Sequence, residues 1–363
     1  MYKKLFAVIG LGALVLAACA APAPTPAPPT AAPTTAPAAT ATRVPPTATP
    51  LVAIKMKVAY SSANPDPMAA WIAQEAGIFK KNGIEAELSF ISGGGNVARA
   101  LVSGDLQIGV LAPSNIVEAT AGGADLVAIA GLVNVMNYDF IVQKGITKAE
   151  DLRGKVGAVS SATGSAATAL RYTLREFYKL DADKDIAGLR VIGSEPDRVA
   201  ALAAKQIDFT VVNPDITPDA VKAGAVVLVS LWQSGIPYQH TGVGTSRKYI
   251  KENPEGVRRF IKSIVEATAF AKDPKNKSTV IAIIAKYLQK DPVKDKEFLE
   301  NGYDRMTTKI MQPAPYVTLD GMKTVLGESK QATDKGMKVE DFVDNSFVKE
   351  LDDNGFVKSL YTK

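Results

Sequence analysis

Cysteine and histidine are nearly missing from this sequence. Its 363 residues include one of each, Cys19 and His240. A lone cysteine forms no disulfide within a chain, and a zinc site needs several Cys or His ligands. Cys–His catalysis is disfavoured too, since Cys19 ends an apolar N-terminal segment. These shortages exclude a disulfide scaffold and a zinc enzyme, and we expect no metal and no cofactor.

Dense blocks of positive charge are also missing. Lys and Arg number 42 against 37 Asp and Glu, a net charge of +5, and the two signs are interspersed. Nucleic-acid binding requires clustered cations, so we expect no nucleic-acid partner. Hydrophobic residues make up 47% of the chain, which indicates a globular protein long enough for two lobes.

The N-terminus has the pattern of an export signal. Lys3 and Lys4 precede an apolar run, residues 5–18, that is too short for a comfortable membrane span. The run ends in Leu-Ala-Ala-Cys19, which resembles a bacterial lipobox. We therefore predict a signal peptide over residues 1–18 and a lipidated Cys19, with an ordinary signal peptide as the alternative.

A tether rich in Ala, Pro and Thr follows over residues 19–51. Such a composition cannot bury a core and favours extended geometry. Together with lipid chains on Cys19, it would hold a folded body at the extracytoplasmic face of the cell membrane. The folded part then begins at residue 52.

The segment 156–170 carries the clearest ligand-binding pattern. A short apolar strand leads into a turn of small polar residues, and a helix pattern follows at once, with Ala166, Leu170, Leu174 and Phe177 on one face. Helix N-termini offer free N–H groups and positive partial charge, which suit an anion or a carbonyl-rich solute. Two roles stay open for the turn, helix capping and ligand binding. Its candidates are Ser160, Ser161, Thr163, Gly164 and Ser165.

Strands alternate with helices along the chain after residue 54. Predicted strands at 55–60, 84–90, 106–111 and 126–130 indicate an α/β fold with largely parallel sheets. Ligands bind at the carboxyl ends of such strands. The small and polar residues that follow these strands are therefore candidates: Ser61, Ser62, Asn64, Gly94, Asn96, Ser114 and Asn115.

An internal repeat suggests a second lobe. Residues 100–108 and 201–209 match at an offset of 101, which also aligns Pro113 with Pro214. By that alignment Asn213 and Asp215 would play the part of the segment 113–115. We predict lobe 1 over 52–143 and 245–363 and lobe 2 over 144–244, joined by a two-strand hinge at 139–143 and 238–244. A cleft between two such lobes can close on a solute.

Several segments resemble a known family. Pro67-Met, Gly77-Ile-Phe and Gly83-Ile-Glu, together with stretches at 100–109, 151–157 and 247–255, resemble periplasmic solute-binding proteins of the nitrate, sulfonate and taurine group. That group includes relatives of the thiamine pyrimidine synthase, and the resemblance covers roughly residues 55–290. It implies a type II periplasmic-binding-protein fold, a small-molecule solute, and delivery to the permease subunits of an ABC importer. We expect a monomer.

The solute is a separate question. The candidate loops contain no Lys or Arg, and the carboxylate of Asp215 favours a ligand with N–H groups, although helix capping explains it equally well. Five aromatic residues near the predicted cleft edges could stack on a flat ring: Tyr60, Trp71, Tyr138, Trp232 and Tyr238. Among the family's ligands these features favour riboflavin, with a sulfonate, nitrate or a thiamine-precursor pyrimidine as alternatives.

Two other classes are weaker. The pyrimidine synthase, as the resemblance implies it, needs a pyridoxal-bound Lys and a reactive His, and His240 lies in a predicted crossing strand. A structural surface lipoprotein would not need polar turns at successive strand ends. We therefore expect a binding protein and no enzyme.

Overall fold

A computed structural model describes residues 52–362 of the chain. The predicted signal peptide over 1–18, the lipidated Cys19 and the tether over 19–51 lie outside these residues. Within the described part, no helix combines the length and the apolar character needed to cross a bilayer.

Ten strands form two five-stranded sheets within residues 52–362. The strands are β1 (Ile54–Tyr60), β2 (Ile84–Phe90), β3 (Ile108–Leu111), β4 (Leu126–Val135), β5 (Asp139–Val142), β6 (Val156–Val159), β7 (Gly188–Val191), β8 (Phe209–Val212), β9 (Val226–Ser230) and β10 (Pro237–Ser246).

The α-helices lie between the strands and, after β10, make up the C-terminal part of the described chain. Up to β10 they are α1 (Met68–Glu75), α2 (Ile78–Lys81), α3 (Gly94–Ser103), α4 (Pro113–Ala121), α5 (Ala149–Leu152), α6 (Ser165–Tyr178), α7 (Glu195–Ala203) and α8 (Thr217–Lys222). After β10 they are α9 (Arg247–Glu252), α10 (Pro254–Lys272), α11 (Lys277–Leu288), α12 (Lys296–Arg305), α13 (Leu319–Gly327), α14 (Lys330–Asp334), α15 (Ser346–Asp353) and α16 (Phe356–Ser359).

The two sheets share one strand order. The first sheet runs β2-β1-β3-β10-β4 and the second β7-β6-β8-β5-β9. In each, three consecutive parallel strands are followed by an antiparallel one that enters from the other lobe, β10 or β5. The expected α/β architecture of two lobes is therefore confirmed.

The internal repeat is structural. Helix α7 begins at Glu195, which is 101 residues after Gly94 at the start of α3, and β8 begins at Phe209, 101 residues after Ile108 in β3. Each copy is a helix, a turn and a buried strand followed by a proline-containing turn. Residues 193–195 are therefore the counterparts of 92–94.

The chain passes between the sheets at positions that differ from the predicted lobe boundaries. Strand β5 already pairs in the second sheet, with Asp139 opposite both Val212 and Ser230. Strand β10, placed in the crossing by the sequence pattern, pairs with β3 and β4 of the first sheet. The connecting segments are thus 136–138 and 231–236. Apolar patterning locates a strand, but its partners in the sheet are distant in sequence, so the pattern does not say which sheet it joins.

Helix α6 mostly buries the face that its spacing predicts. Ala166, Leu170 and Leu174 are fully buried, whereas Phe177 is 43% exposed. The buried residues belong to a core cluster that also contains Val97 of lobe 1 and Tyr238 of β10. The N-terminus of α6 is thereby held at the junction of the two lobes.

Candidate ligand-binding cleft

A cavity lies between the lobes, at the carboxyl ends of strands from both sheets. Its volume is about 60 Å³, room for only a few water molecules. Ten of the sequence-predicted residues line it: Ser61, Ser62, Asn64, Gly94, Asn115, Tyr138, Ser160, Ser161, Gly164 and Ser165. The turns after β1, β3 and β6 therefore meet at one place, as expected for the carboxyl ends of parallel strands.

Three predicted residues lie near the cleft but outside the cavity lining. Asn96 is exposed and donates to the Ser92 carbonyl at 2.6 Å, and Thr163 is exposed at the rim of its turn. Trp232 is half-buried in a short 3₁₀ helix after β9. Asn96 and Thr163 belong to segments that form the cavity, whereas no residue of the 3₁₀ helix that holds Trp232 lines it.

Four other predicted residues are buried between the lobes, also outside the lining. Ser114 and Tyr238 are packed at 4% and 0% exposure, so Tyr238 offers no face to a solute. Asn213 and Asp215 both accept hydrogen bonds from Arg305. The interpretation of Asp215 as a ligand-binding carboxylate is therefore wrong, because a cation from α12 already occupies it.

The structure adds residues that the sequence pattern missed. They are Ala63, Phe90, Ser92, Gly93, Ala112, Gly193, Ser194, Glu195, Arg198 and Thr241. The internal repeat held a signal for three of them, Gly193, Ser194 and Glu195, since residues 193–195 are the counterparts of 92–94. Arg198 corrects the expectation of a cleft without a cation.

Three helices begin at the cavity without a side-chain cap. They are α3, α4 and α6, and none of their N-terminal N–H groups receives a capping side chain. The Oγ of Ser161 and the Oδ1 of Asn115 are buried and lack a hydrogen-bond partner among the described residues. Of the two roles left open for the turn at 160–165, capping by a side chain is therefore not realised, and the Ser161 hydroxyl and the N–H groups at the start of α6 can meet a solute.

Tyr138 connects the two walls. Its hydroxyl lies 2.8 Å from the Ser165 Oγ, and its ring meets that of His240 edge-on at 4.5 Å. The His240 Nε2 lies 3.2 Å from the Asp66 carboxylate, and both side chains are almost fully buried. His240 is therefore sequestered behind Tyr138, outside the cavity lining.

Glu195 carries negative charge into the cleft. Its Oε2 accepts the Asn213 N–H at 2.8 Å, and its Oε1 accepts the Asn64 amide at 3.3 Å from the opposite lobe. Burial is the main cause that raises the pKa of the Glu195 carboxyl, and Arg198 opposes the shift. The Arg198 Nη2 lies 4.0 Å from Oε1, so the cation offsets only part of the cost of burying the carboxylate.

Arg198 is held almost entirely by neutral acceptors. Its side chain is 1% exposed and donates to the carbonyls of Ile192, Gly193 and Val211 and to the Thr210 hydroxyl, at 3.0–3.3 Å. These four bonds use four of the five guanidinium N–H groups. The fifth has no acceptor among the described residues.

The raised pKa of Glu195 predicts a pH-dependent difference between the natural chain and Glu195→Gln. Between the carboxyl's ordinary pKa of 4.5 and its raised folded value, the folded state binds more protons than the unfolded state. The contribution of Glu195 to stability therefore falls as pH rises through that window. Urea unfolding between roughly pH 4 and 8 should show the natural chain losing stability relative to Glu195→Gln. Parallel curves would contradict the shift.

Known proteins resemble this chain in sequence. A Brucella abortus protein provisionally described as a binding protein is 27% identical over 274 residues, which cover 69% of this chain and 75% of that protein. The taurine-binding periplasmic protein of Escherichia coli is 29% identical over 220 residues, 59% of this chain and 66% of the relative.

The fold is that of a known solved structure. The alkanesulfonate-binding protein of Xanthomonas axonopodis superposes with a TM-score of 0.63 at 17% identity, over 83% of this chain and 98% of that one. With the shared strand order of the two sheets, this confirms the type II periplasmic-binding-protein fold.

The family follows from a match across both lobes. Residues 64–277 match the family described as NMT1/THI5 like. The matched stretch starts at Asn64 in the cleft, contains the whole second lobe and ends at the start of α11. It spans well over half of the 363 residues, and the chain therefore belongs to the NMT1/THI5-like family.

Proposed function

We propose that the protein is the solute-binding component of an ABC-type importer, which captures a small polar solute and delivers it to permease subunits. The observation that carries the proposal is the interlobe cavity, where buried polar groups without partners meet three uncapped helix starts. Folded chains rarely leave buried polar groups unpaired, so the arrangement favours a solute that pairs them.

A small anionic group suits this cleft best. Helix N-termini offer N–H donors to a negative charge, and the buried Arg198 adds a positive charge to the wall of the cavity. Two of the related proteins are described by their names as binding taurine and alkanesulfonate. We therefore place a sulfonate-type solute first, with nitrate as a smaller alternative.

Riboflavin now takes second place. Of its five candidate stacking residues only Tyr138 lines the cavity, where Phe90 is the one other aromatic side chain among the described residues. A cavity of about 60 Å³ would have to open widely to admit a tricyclic ring. A thiamine-precursor pyrimidine needs less room but faces the same shortage of aromatic walls.

The placement of His240 supports a binding protein over a pyrimidine-synthase-like enzyme. The side chain pairs with Asp66 behind Tyr138, where a solute in the cavity cannot reach it. Neither Lys nor His is among the described residues that line the cavity.

The N-terminal pattern completes the proposal. A lipidated Cys19 and the tether would keep a monomeric binding protein beside its permease, on the extracytoplasmic face of the cell membrane. Metabolic labelling with a palmitate analogue tests this part, since Cys19→Ala should abolish the label.

Thermal unfolding with single solutes tests the function. A solute at 100 times its Kd stabilises the folded chain by about 2.7 kcal/mol, which raises Tm by several degrees. The panel is taurine, ethanesulfonate, nitrate, riboflavin and a thiamine-precursor pyrimidine. We expect the sulfonates to raise Tm. A Tm unchanged by every compound would refute a binding protein of this group, and a shift with riboflavin alone would restore that ligand.

Gly94→Ala is expected to weaken solute binding about tenfold while changing stability little. A Cβ on Gly94 would lie 2.3 Å from the Asn115 Nδ2, so the amide must leave its place in the cavity wall. The atom that it meets is the end of a flexible side chain, whose Nδ2 makes one long hydrogen bond, to the Ala112 carbonyl at 3.4 Å, so the cost to folding stays low. Titration calorimetry with the best solute measures the loss.

Gly95→Ala is the matched control for this substitution. It lies one residue further along the same helix, and its Cβ would meet only ordinary contacts, the nearest at 3.8 Å. We expect affinity within about twofold of the natural chain. Equal losses in both variants would trace the effect to α3 itself rather than to Asn115.

A further inference from the structure

Glu195 is the feature of the cleft that a plain anion does not explain. It is the single carboxylate among the described residues that line the cavity. A carboxylate repels an anionic solute and accepts hydrogen bonds only. A cleft built solely for nitrate or an unsubstituted sulfonate would gain affinity by lacking it.

The carboxylate keeps accepting capacity for a solute. Each oxygen receives one protein donor, the Asn64 amide at Oε1 and the Asn213 N–H at Oε2. A carboxylate has about four acceptor positions, so about two stay open. The Glu195 side chain is 13% exposed and lines the cavity, so a solute in the cavity can reach it.

The charges around Glu195 do not satisfy it. Arg198 stands at 4.0 Å and is bound to four neutral acceptors. The Asp66 carboxylate repels Glu195 and His240 attracts it, but burial remains the largest influence and raises the pKa of the Glu195 carboxyl. The free-energy cost of burying the carboxylate is met when the chain folds. Binding a cation to it afterwards is therefore favourable.

The other groups of the cavity provide for the opposite charge. The uncapped starts of α3, α4 and α6 offer N–H donors, and the Ser161 hydroxyl is unpartnered. The cleft thus holds hydrogen-bond donors for a negatively charged group in several places and one carboxylate for a positively charged group.

We propose that the cleft selects a small zwitterion, an aminoalkanesulfonate or a short amino acid, whose ammonium group is bound by Glu195. The inference rests on the proposed function and names the class of solute for the same cavity. Glu195 then determines specificity: it favours a protonated amine over a hydroxyl or methyl group at that position, and it weakens binding of simple anions.

Taurine and isethionate form a matched pair of probes. They share the sulfonate and the chain length and differ in one group, an ammonium against a hydroxyl. Calorimetry on the unmodified chain should show taurine binding at least about 30-fold more tightly than isethionate. Equal affinity for the two overturns the ammonium site while leaving the binding function intact, and so does binding of nitrate without either sulfonate.

Glu195→Gln then tests the residue. It keeps the size of the side chain and removes the charge, so taurine affinity should fall about 30-fold or more while isethionate affinity stays level or rises. Asp219→Asn is the control, because it removes the same charge from an exposed position in the first turn of α8 that does not line the cavity. We expect it to leave the ratio of the two affinities unchanged.

Two outcomes distinguish ammonium recognition by Glu195 from the importer function on which it rests. A parallel loss of both sulfonates in Glu195→Gln would mean a structural role and refute ammonium recognition. Circular dichroism shows whether the variant is folded, and the taurine–isethionate comparison on the natural chain decides the question even if it is not. No binding of any probe by the natural chain would refute the importer function itself.

Discussion

Replacing Arg305 by methionine is expected to lower the free energy of unfolding by about 3–5 kcal/mol, because it leaves a buried carboxylate without its cation. Arg305 binds both oxygens of Asp215, and the two side chains are 9% and 2% exposed. It also donates to the Asn213 Oδ1 at 2.9 Å. Urea unfolding of the natural and variant chains measures the loss.

The same change should weaken the closed form. Arg305 ends α12, whose Leu299 and Tyr303 lie in the core of lobe 1, whereas Asp215 follows β8 of lobe 2. The ion pair therefore joins the two lobes, beside the connecting segment, where Arg305 also donates to the Asn137 Oδ1. We expect reduced solute affinity and, by small-angle scattering, a larger radius of gyration without solute.

Lys323→Met is the control for this prediction. Lys323 pairs with Asp320 at 2.7 Å, but both side chains are about 70% exposed, so the loss should stay below about 1 kcal/mol. A loss in Arg305→Met no larger than that of the control would contradict the interlobe role. Arg305→Lys keeps the charge without the two-pronged geometry and should fall between them.

Arg198→Met should destabilise the chain by a similar amount, about 3–5 kcal/mol, and abolish solute binding. The substitution leaves the carbonyls of Ile192, Gly193 and Val211 in the interior without their Arg198 donor. It also removes the cation nearest Glu195. Because residues 192–194 lead into the wall of the cavity, the wall loses its position along with its charge.

Arg190→Met provides the comparison for Arg198. Arg190 is exposed and donates to a single carbonyl, that of Gln206, at 2.9 Å. Its loss should change stability by no more than about 0.5 kcal/mol and leave binding intact. Denaturant midpoints and calorimetry on the two variants give both readouts. Normal solute affinity in folded Arg198→Met would show that the guanidinium has no part in the cleft.

Much of the architecture was predictable because local patterns encode it. The apolar runs and polar turns placed the first strands close to their observed bounds, such as Ile84–Phe90. The offset of 101 residues aligned α3 with α7 and β3 with β8. The predicted crossings between the lobes were less accurate. They placed β5 and β10 in the hinge, whereas β5 pairs in the second sheet and β10 in the first, with partners that are distant in sequence.

The cleft was predictable turn by turn and only partly residue by residue. Ser160 and Ser161 line the cavity because they end a strand whose neighbours end there too. Asp215 has the same position in its own repeat, yet it turns to Arg305, a residue 90 positions later. No pattern near Asp215 in the sequence indicates that Arg305 is its partner.

The sequence by itself determined the alternation of strands and helices, the two repeats and the small polar turns at the strand ends, because these depend on propensities and spacing within a few residues. Only the tertiary structure decided the charges of the cleft. Arg198 lies on the inner face of α7 because Thr210 and Val211 of β8 and the carbonyls of residues 192 and 193 receive its N–H groups. Those acceptors come together when β8 pairs with β6 and α7 packs over it, which sets Glu195 at the cavity and Asp215 on Arg305.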